Sequence, residues 1–444
     1  MQAQQTQKKV HLVSLGCARN LVDSEVMIGT LLEKGWLHSN ESTDADAIIV
    51  NTCGFIQSAK EESIDTILSF ADLKRSKPDM RLIVAGCLAQ RYKTQLAKGI
   101  PEVDFFVGTD QFSQIANFIE NPPEHGSVIA KRSNYLYNEN LPRVNTLSKH
   151  SAYVKVAEGC GHNCAFCIIP AIRGRLRSRP ISSVVKEVEH LTSQGVKEIV
   201  LIAQDLAAYG RDRGSDELVP LLKELVAIKD LHWLRMLYMY PENISDEFLD
   251  LMAKEDKIVK YLDIPVQHAS NTVLAKMNRI LTQEQMRDVF ARVRTKVPNI
   301  AIRTTVMVGF PGEDDADARE LLRFLEETRF EHLGCFSYSM EEGTVAGRMK
   351  DQIDDATKQI RYDEVMALQQ GISRANLAGL IGKTYSALIL KKDEESCKWE
   401  GRLSIQAPDV DGIVFITGEG LEVGQIRQVR ITESMDYDLL AELV

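Results

Sequence analysis

Short apolar runs alternate with longer amphipathic stretches along the first 110 residues. The runs cover residues 10–16, 47–52, 81–86 and 103–108, and helical patterns lie between them, for example over 23–34 and 57–73. Short buried strands that alternate with helices are typical of a parallel sheet with helices on both faces. We therefore predict an N-terminal parallel α/β sheet domain over residues 8–124.

The middle of the chain repeats this alternation six times. Predicted strands cover residues 153–158, 198–204, 233–238, 259–264, 301–308 and 332–339, and predicted helices cover 181–194, 217–228, 245–254, 282–295 and 316–328. Six β/α units predict a partial (β/α)6 barrel over residues 146–376, with active-site groups at the carboxyl ends of its strands. Residues 351–380 have apolar positions at helical spacing and predict a long connecting helix.

The pattern changes again from about Lys383. Strand-like runs at 384–390, 399–405, 412–416 and 425–431 are separated by Gly, Pro and Asp. Short, evenly spaced strands of this kind predict a small all-β barrel over residues 379–444. The region from Lys383 to Val444 has seven Lys or Arg against twelve Asp or Glu, a net charge of −5. A barrel of this charge should repel phosphate backbones and attract a basic protein.

Composition and charge narrow the class of protein. The chain has 444 residues, 44% of them hydrophobic and 26% charged, as expected for about three globular domains. The first nine residues lack the apolar core of a signal peptide, and no stretch of about 18 uncharged apolar residues occurs, so we expect a cytoplasmic protein with no membrane contact. A net charge of −10 argues against a generic nucleic-acid binder. Nothing in the sequence suggests an obligate partner chain, and we expect a monomer.

Three cysteines in one loop carry the strongest chemical information. Cys160, Cys164 and Cys167 follow the first predicted strand of the middle domain at CxxxCxxC spacing. Three thiolates can hold three irons of a 4Fe–4S cluster and leave the fourth iron open, whereas a cluster for electron transfer alone normally has four cysteine ligands. A structural zinc site also needs four ligands, and His162 is awkwardly placed within the loop to supply the fourth. The spacing favours a cluster that binds and cleaves a substrate.

A second set of cysteines occupies equivalent positions in the N-terminal domain. Cys17, Cys53 and Cys87 each follow an apolar run at the predicted carboxyl end of a strand. Ligands of parallel sheets bind outside these ends, so the three thiols can converge. The alternative is that they are buried small hydrophobes, as most free cysteines are. We interpret the remaining two cysteines, Cys335 and Cys397, as core residues. Without a secretion signal, eight cysteines indicate metal ligands or buried thiols rather than disulfides.

With both sets of cysteines and the three-part layout, the whole chain resembles the radical S-adenosylmethionine (SAM) methylthiotransferases. That family has an N-terminal methylthiotransferase domain, a radical-SAM core and a C-terminal TRAM-type barrel. Residues 14–25, SLGCARNLVDSE, are similar to the branch that modifies an aspartate of the twelfth small-subunit ribosomal protein. The acidic C-terminal region supports this branch. The alternatives are the sister branch, which methylthiolates an adenosine of transfer RNA with the same cofactors, and a non-catalytic iron–sulfur protein that binds ribosomes or RNA.

The resemblance implies two 4Fe–4S clusters and SAM as cofactors. Cys160, Cys164 and Cys167 would hold the SAM cluster, and the other three cysteines an auxiliary cluster. One electron from a donor such as a flavodoxin or ferredoxin would lead to a 5′-deoxyadenosyl radical that abstracts a hydrogen from the β-carbon of the target aspartate. The auxiliary cluster would present sulfur, and a second SAM the methyl group. The expected partner is a basic ribosomal protein, free or in the ribosome.

Several other residues are weaker candidates. Phe166 resembles the aromatic residue near the SAM adenine in this superfamily, and Gly309 and Gly312 resemble its glycine-containing SAM-contact segment; loop packing and a plain turn are the alternatives. Gln204 and Asp205 stand where many members have Gly-Gly-Glu, which leaves the contacts to the SAM methionine moiety open. The remaining candidates for the same pocket are Asp263, Pro265, Gln267 and His268, the last of these more typical of a structural residue.

An alternating basic run, Arg173, Arg175, Arg177 and Arg179, follows the cysteine loop. Arginine pairs with carboxylates in bidentate geometry. We predict that Arg173 or Arg179 orients a carboxylate of SAM or of the target aspartate. The alternative is a solvated basic face.

Overall fold

The computed structural model describes residues 7–123, 126–131, 133–395 and 398–444. Three sheets organise these residues, one for each part of the predicted layout. Cys397 lies outside the described residues, so its predicted place in a core has no structural counterpart here.

The N-terminal sheet has six parallel strands in the order β2-β1-β3-β4-β5-β6. The strands are β1 (Lys9–Ser14), β2 (Leu37–His38), β3 (Ala47–Thr52), β4 (Arg81–Gly86), β5 (Phe105–Val107) and β6 (Ser127–Val128). The helices are α1 (Ala18–Glu33), α2 (Gln57–Ser76), α3 (Cys87–Gly99) and α4 (Ile115–Glu120). Two apolar clusters cover the two faces of the sheet. The predicted parallel α/β domain is confirmed, with two additional strands too short for their pattern to be recognised.

The central sheet is also parallel and has the order β7-β10-β11-β12-β13-β14. Its strands, with the short antiparallel pair β8 and β9 beside it, are β7 (Ser151–Lys155), β8 (Ala157–Glu158), β9 (Arg177–Ser178), β10 (Glu198–Ile202), β11 (Trp233–Met236), β12 (Ile258–Asp263), β13 (Ala301–Val308) and β14 (His332–Ser337). The helices are α5 (Ile169–Arg173), α6 (Ile181–Ser193), α7 (Leu218–Val226), α8 (Asp246–Lys254), α9 (Asn271–Lys276), α10 (Gln283–Lys296) and α11 (Asp315–Thr328). This arrangement confirms the partial (β/α)6 barrel. Cys335 is buried in its apolar core, as predicted.

A long helix leads to the C-terminal barrel. Helix α12 (Asp355–Ala378) begins where the Asp354 side chain accepts a hydrogen bond from the Thr357 amide. The barrel is closed and has the strand order β15-β16-β17-β19-β18. Its strands are β15 (Thr384–Lys392), β16 (Trp399–Leu403), β17 (Val414–Thr417), β18 (Ile426–Ser434) and β19 (Leu439–Leu443). The small all-β barrel is confirmed, but β19 corrects the expectation of four strands: its run is only five residues long, LLAEL, and pairing with β17 and β18 reveals it.

Buried ion pairs join the barrel to the central domain. Glu198, at the start of β10, is fully buried. It pairs with Arg235 of β11 and with Arg402 of the barrel. Arg303 of β13 pairs with the buried Asp411 at an N–O distance of 2.6 Å. Removing one partner from such a pair leaves an uncompensated buried charge, so these contacts fix where the barrel sits. No helix in the described ranges is long and apolar enough to cross a membrane.

Candidate active site

A cavity of about 630 Å³ lies where the three domains meet. The N-terminal domain contributes Phe55 and most of the residues between Ser14 and Leu21. The central domain contributes residues at the ends of its strands, and the barrel contributes Pro408, Asp409 and Val410. Cys17 of one cysteine set and Cys160 and Cys167 of the other line the same space. This position at the carboxyl ends of parallel strands is the expected place for an active site.

The CxxxCxxC loop runs from β8 to α5 beside this cavity. The Cys160 amide donates to Gly174 O at 3.2 Å, and the Cys167 amide donates to Cys164 O at 3.0 Å, so the loop is tightly turned. Burial raises the pKa of Cys160 to about 11 and that of Cys167 to about 12. Thiols in this setting lose their protons when a metal supplies the compensating charge.

Three side chains surround Cys164. The Tyr240 hydroxyl lies 2.9 Å from its Sγ. His162 stacks on the Tyr240 ring at a centroid distance of 3.9 Å, and its Nε2 lies 2.7 Å from Asp205 Oδ2. On the same ring, the Arg279 guanidinium lies 4.1 Å from the centroid. His162 is therefore engaged by Tyr240 and Asp205, and the three thiols remain the candidate metal ligands of the loop.

The second set of cysteines lies at the ends of neighbouring strands of the N-terminal sheet. Cys17 precedes α1, Cys53 follows β3, and Cys87 is the first residue of α3. Gly16 has φ +91°, and a Cβ placed on it would lie only 2.8 Å from Cys53 Cβ, so glycine is required for this approach. Burial raises the pKa of Cys53 to about 11. Burial also acts to raise the pKa of Cys17, but the charges of Arg19 and Arg173 lower it below its ordinary value.

Arg173 lies on the auxiliary side of the site. Its guanidinium is buried, pairs with Asp23 Oδ2 at 3.0 Å and Glu158 Oε2 at 3.2 Å, and places Nη2 3.7 Å from Cys87 Sγ. Lys155 completes the buried group by pairing with both carboxylates. Arg173 does not line the cavity. Its position therefore fits a role beside the Cys87 thiol better than the predicted role of binding a ligand carboxylate.

The residues present fit the cofactors that the sequence resemblance implies. Two sets of three thiols supply the soft ligands that iron–sulfur clusters need. In the described part of the chain, no group of three Cys, His, Asp or Glu side chains is arranged to hold a single metal ion. Both ends of the buried Gln204 amide lack a hydrogen-bond partner, as does Asp263 Oδ1, and both residues line the cavity. Unpaired buried polar atoms are costly, and a bound ligand would satisfy them.

Backbone strain is concentrated at the same cavity. Tyr238, Gln267 and Asp409 have φ values of +63°, +71° and +66°, which side-chain-bearing residues rarely adopt. All three line the cavity. Strained conformations of this kind persist where the surroundings hold them, commonly at functional sites.

The structure brings only some of the remaining candidates to the cavity. Phe166, Gln204, Asp263, Pro265 and Gln267 line it. Asp205 lies behind it, where its carboxylate accepts hydrogen bonds from the Tyr240 amide and the Asn243 side chain.

Three of the candidate positions lie elsewhere. Gly309 and Gly312 are outside the lining, and an added Cβ on each would run into Lys358 and Lys276, respectively. His268 is fully buried, as expected of a structural residue, and burial lowers its pKa to about 4.

Arg179 corrects the prediction that it orients a ligand carboxylate. Its side chain is fully buried, and its guanidinium donates to Glu187, Lys155 O and Ser183. The whole donor set is used inside the central domain, and Arg179 does not line the cavity. The alternating run in the sequence shows four arginines but not which of them meet acidic partners.

Sequence reasoning missed several residues of the cavity. Arg19 follows Cys17 by two positions, and Tyr238 and Tyr240 follow β11. Their positions beside a cysteine or a strand end were a usable signal. Arg303 and the barrel residues 408–410 gave none, because their place depends on how the barrel docks.

Comparisons with known proteins agree with this layout. Residues 9–108 match an uncharacterized protein family, UPF0004, residues 154–325 match the radical SAM superfamily, and residues 381–444 match the TRAM domain. A ribosomal protein uS12 methylthiotransferase RimO of Geotalea uraniireducens is 47% identical over 98% of both chains. The chain belongs to the RimO family. Another RimO protein, from Clostridioides difficile, is 44% identical over 98% of this chain and 99% of its own.

Solved structures support the fold of this RimO family member. The radical SAM methyltransferase TsrM of Kitasatospora setae has a TM-score of 0.56 at 16% identity and covers 77% of each chain. The cobalamin-dependent radical SAM enzyme OxsB has a TM-score of 0.53 at 14% identity, covering 82% of this chain and 56% of its own. Identity this low establishes the architecture alone. Membership in the radical SAM superfamily implies SAM and a 4Fe–4S cluster, and the protein is a methylthiotransferase.

Proposed function

We propose that this protein transfers a methylthio group to the β-carbon of an aspartate in ribosomal protein uS12. The observation that carries the proposal is the single cavity lined by Cys17 together with Cys160 and Cys167. A reaction that needs a radical from one cofactor and sulfur from another requires both beside one substrate atom. Relatives named ribosomal protein uS12 methylthiotransferases support the choice of substrate.

Each set of cysteines is assigned to one 4Fe–4S cluster. Cys160, Cys164 and Cys167 hold the cluster that binds SAM, and Cys17, Cys53 and Cys87 hold an auxiliary cluster. The local structure supports this assignment, because each set is short of the four cysteines that close an electron-transfer cluster. Bound clusters and SAM supply the radical and the sulfur chemistry.

The protein's own residues bind, orient and exclude water. Phe166 gives the cavity an aromatic wall next to the cysteine loop, and Gln204 presents an unpaired amide to a polar ligand group. Gly309 and Gly312 lie in the turn after β13, outside the cavity lining, and stay a prediction for the SAM-contact segment. The barrel residues 408–410 form part of the cavity wall.

The acidic barrel and the surroundings of the site fit a basic protein substrate. uS12 is met free or in the ribosome, and a flavodoxin or ferredoxin supplies the electron. We place the enzyme in the cytoplasm as a monomer, with the domain bounds 8–124, 146–376 and 379–444.

The test is an anaerobic assay of the reconstituted protein. Iron, sulfide, SAM, a strong reductant and purified uS12 are combined, and mass spectrometry looks for a gain of about 46 daltons on one aspartate, the mass of CH₃S replacing hydrogen. Cys164→Ala should abolish SAM cleavage and the mass gain together. Cys17→Ala should leave SAM cleavage and remove only the mass gain.

Two outcomes would redirect the assignment. Formation of 5′-deoxyadenosine with unmodified uS12, and with modified transfer RNA in a parallel reaction, would move the enzyme to the tRNA branch. Absence of SAM cleavage in a sample with two intact clusters would contradict the assignment of the CxxxCxxC loop.

A further inference from the structure

The cavity has two basic residues among its described lining residues, Arg19 and Arg303. Both side chains are partly buried. A substrate carboxylate brought into this space loses hydration and needs a compensating charge. The two arginines differ in whether an acidic residue of the protein already forms an ion pair with them.

Arg303 is neutralised by the protein itself. Its Nη1 lies 2.6 Å from Asp411 Oδ1 and also donates to Val410 O at 3.2 Å. Asp411 is fully buried and is held further by the Tyr261 hydroxyl at 2.7 Å. This pair attaches the barrel to β13, so Arg303 has a structural partner.

Arg19 has no such partner. Its Nη1 donates to Ala203 O at 2.7 Å, and its guanidinium lies 4.7 Å from the centroid of the Tyr238 ring. Within the described ranges, no Asp or Glu forms an ion pair with it. A backbone carbonyl and an aromatic face orient the guanidinium, and neither carries a formal charge. The other group that acts on its charge at close range is the thiol of Cys17 when that thiol is ionised.

The location of Arg19 matches the place where the target must lie. It follows Cys17 by two residues at the start of α1, and the carbonyl that it binds precedes Gln204 at the end of β10. It therefore spans from the auxiliary cysteines to the strand ends of the radical-SAM domain. The target carbon must lie within reach of both sides.

The acidic residues of the cavity restrict where a carboxylate can bind. Asp263 and Asp409 line it. Asp263 accepts a hydrogen bond from the Tyr238 amide, and Asp409 lies near the Tyr153 hydroxyl at 3.3 Å. Like charges repel a carboxylate from these two positions. The charges of Arg303 and Arg19 already act on Asp263.

We propose that Arg19 binds the side-chain carboxylate of the target aspartate and makes the enzyme select a carboxylate over an amide. The inference rests on the proposed function and adds a specificity residue to it. The carboxylate is bonded directly to the reacting β-carbon, so a bidentate contact with the guanidinium would also fix the direction of the C–H bond.

The experiment compares two substrates across four enzymes. The substrates are uS12 and uS12 with its target aspartate replaced by asparagine, and the enzymes are wild type, Arg19→Gln, Arg19→Lys and Arg175→Gln. Arg175 is exposed and follows the same cysteine loop, so it is a control for the loss of one positive charge. All enzymes are reconstituted, and iron content and SAM cleavage without uS12 are measured first.

The expected result is a change in selectivity. Wild type should prefer aspartate over asparagine by about 30-fold or more in kcat/KM, the effect of a partly buried charge pair. Arg19→Gln should reduce this ratio to within about threefold, while Arg19→Lys keeps a preference for aspartate because it keeps the charge. Arg175→Gln should match wild type. Iron content and uncoupled SAM cleavage should stay at the wild-type level in Arg175→Gln, and Arg19→Gln should still cleave SAM without uS12.

Three results would overturn the proposal. One is an unchanged aspartate-to-asparagine ratio in Arg19→Gln. Another is loss of uncoupled SAM cleavage in that variant, which would assign Arg19 to SAM. If Arg19→Gln is too slow with both substrates, the ratio is measured instead as equilibrium binding of the two uS12 forms without reductant. The third result that would overturn the proposal is equal discrimination between the two forms by wild type and Arg19→Gln in this binding measurement. Failure of the proposed function is distinct, because wild type would then modify neither substrate.

Discussion

The hydroxyl of Tyr240 lies 2.9 Å from the sulfur of Cys164. Tyr240 stands on the loop after β11, and its ring is sandwiched between His162 and Arg279. This packing holds the hydroxyl in place from both faces. A buried donor fixed beside a thiolate sulfur is one of the means by which a protein sets the potential of an iron–sulfur cluster.

Tyr240→Phe should make the SAM cluster harder to reduce. The substitution removes one hydrogen bond to sulfur, and a bond of about 1 kcal/mol corresponds to a shift of roughly 40 mV to more negative potential for one electron. A redox titration followed by electron paramagnetic resonance measures this shift. Tyr385→Phe, in the C-terminal barrel, is the control and should leave the potential unchanged. An equal or more positive potential in Tyr240→Phe would contradict the role of the hydroxyl.

Gly16→Ala should prevent assembly of the auxiliary cluster only. The added Cβ would meet Cys53 Cβ at 2.8 Å, and φ at this residue is +91°. Cys17 and Cys53 would be forced apart, so we expect iron per chain to fall from about eight to about four. Iron analysis and Mössbauer spectroscopy measure the loss.

Gly35→Ala is the matched control, because Gly35 has φ +84° and open space around its Cβ position. It should bear only the backbone strain and retain both clusters. Full iron content in Gly16→Ala would show that the auxiliary cysteines tolerate the displacement.

Arg173→Gln should destabilise the protein by about 3 kcal/mol. The change leaves the buried carboxylates of Asp23 and Glu158 with Lys155 as their remaining cation. Chemical denaturation of the metal-free protein measures the difference in free energy of unfolding. Arg175→Gln, exposed and in the same basic run, should change stability by no more than about 0.5 kcal/mol. Equal stabilities of the two variants would contradict the structural role of Arg173.

Acid should weaken the attachment of the barrel through Glu198. Burial acts to raise the pKa of this carboxyl, but the charges of Arg402 and Arg235 hold it at about 2, below its ordinary value of 4.5. Its stabilising contribution is therefore complete above about pH 4.5 and is lost as the pH falls towards 2. The free energy of unfolding of wild type should decrease over this window.

Glu198→Gln should remove that part of the pH dependence. At pH 7 it should cost about 3 kcal/mol, since two buried arginines lose their carboxylate, and the difference from wild type should shrink as the pH falls. Unfolding curves from pH 7 to pH 3 test both statements. Glu364→Gln, at an exposed position of α12, is the control. A difference from wild type that stays constant with pH would contradict the assignment.

Much of the site was predictable because it depends on local pattern. Cys17, Cys53 and Cys87 follow apolar runs. An apolar run of that length predicts a strand, and the residue after it lies at the end of that strand, whatever the position of the sheet in the fold. The CxxxCxxC loop places its three thiols by chain geometry alone. The closing strand β19 was missed because so short a run becomes a strand only through pairing with its neighbours.

The roles of the arginines were not predictable from the chain alone. The run from Arg173 to Arg179 alternates regularly, yet Arg173 meets Asp23 of the N-terminal domain and Arg179 meets Glu187 on α6. Neither acidic partner lies at a spacing along the sequence that would predict its ion pair with the arginine. Burial and pairing follow from which surfaces dock.

The sequence by itself determined three domains, their fold class, the two sets of thiols and the kinship with methylthiotransferases. The tertiary structure decided that both sets open on one cavity, that residues 408–410 of the barrel form part of its wall, and that Arg19 rather than Arg173 or Arg179 brings a charge to it. The physical reason is the distance along the sequence over which each feature is determined. Strand ends and loop spacing are set by neighbours along the chain, whereas the fate of a charge is set by the acids, carbonyls and rings that packing brings from far away in sequence.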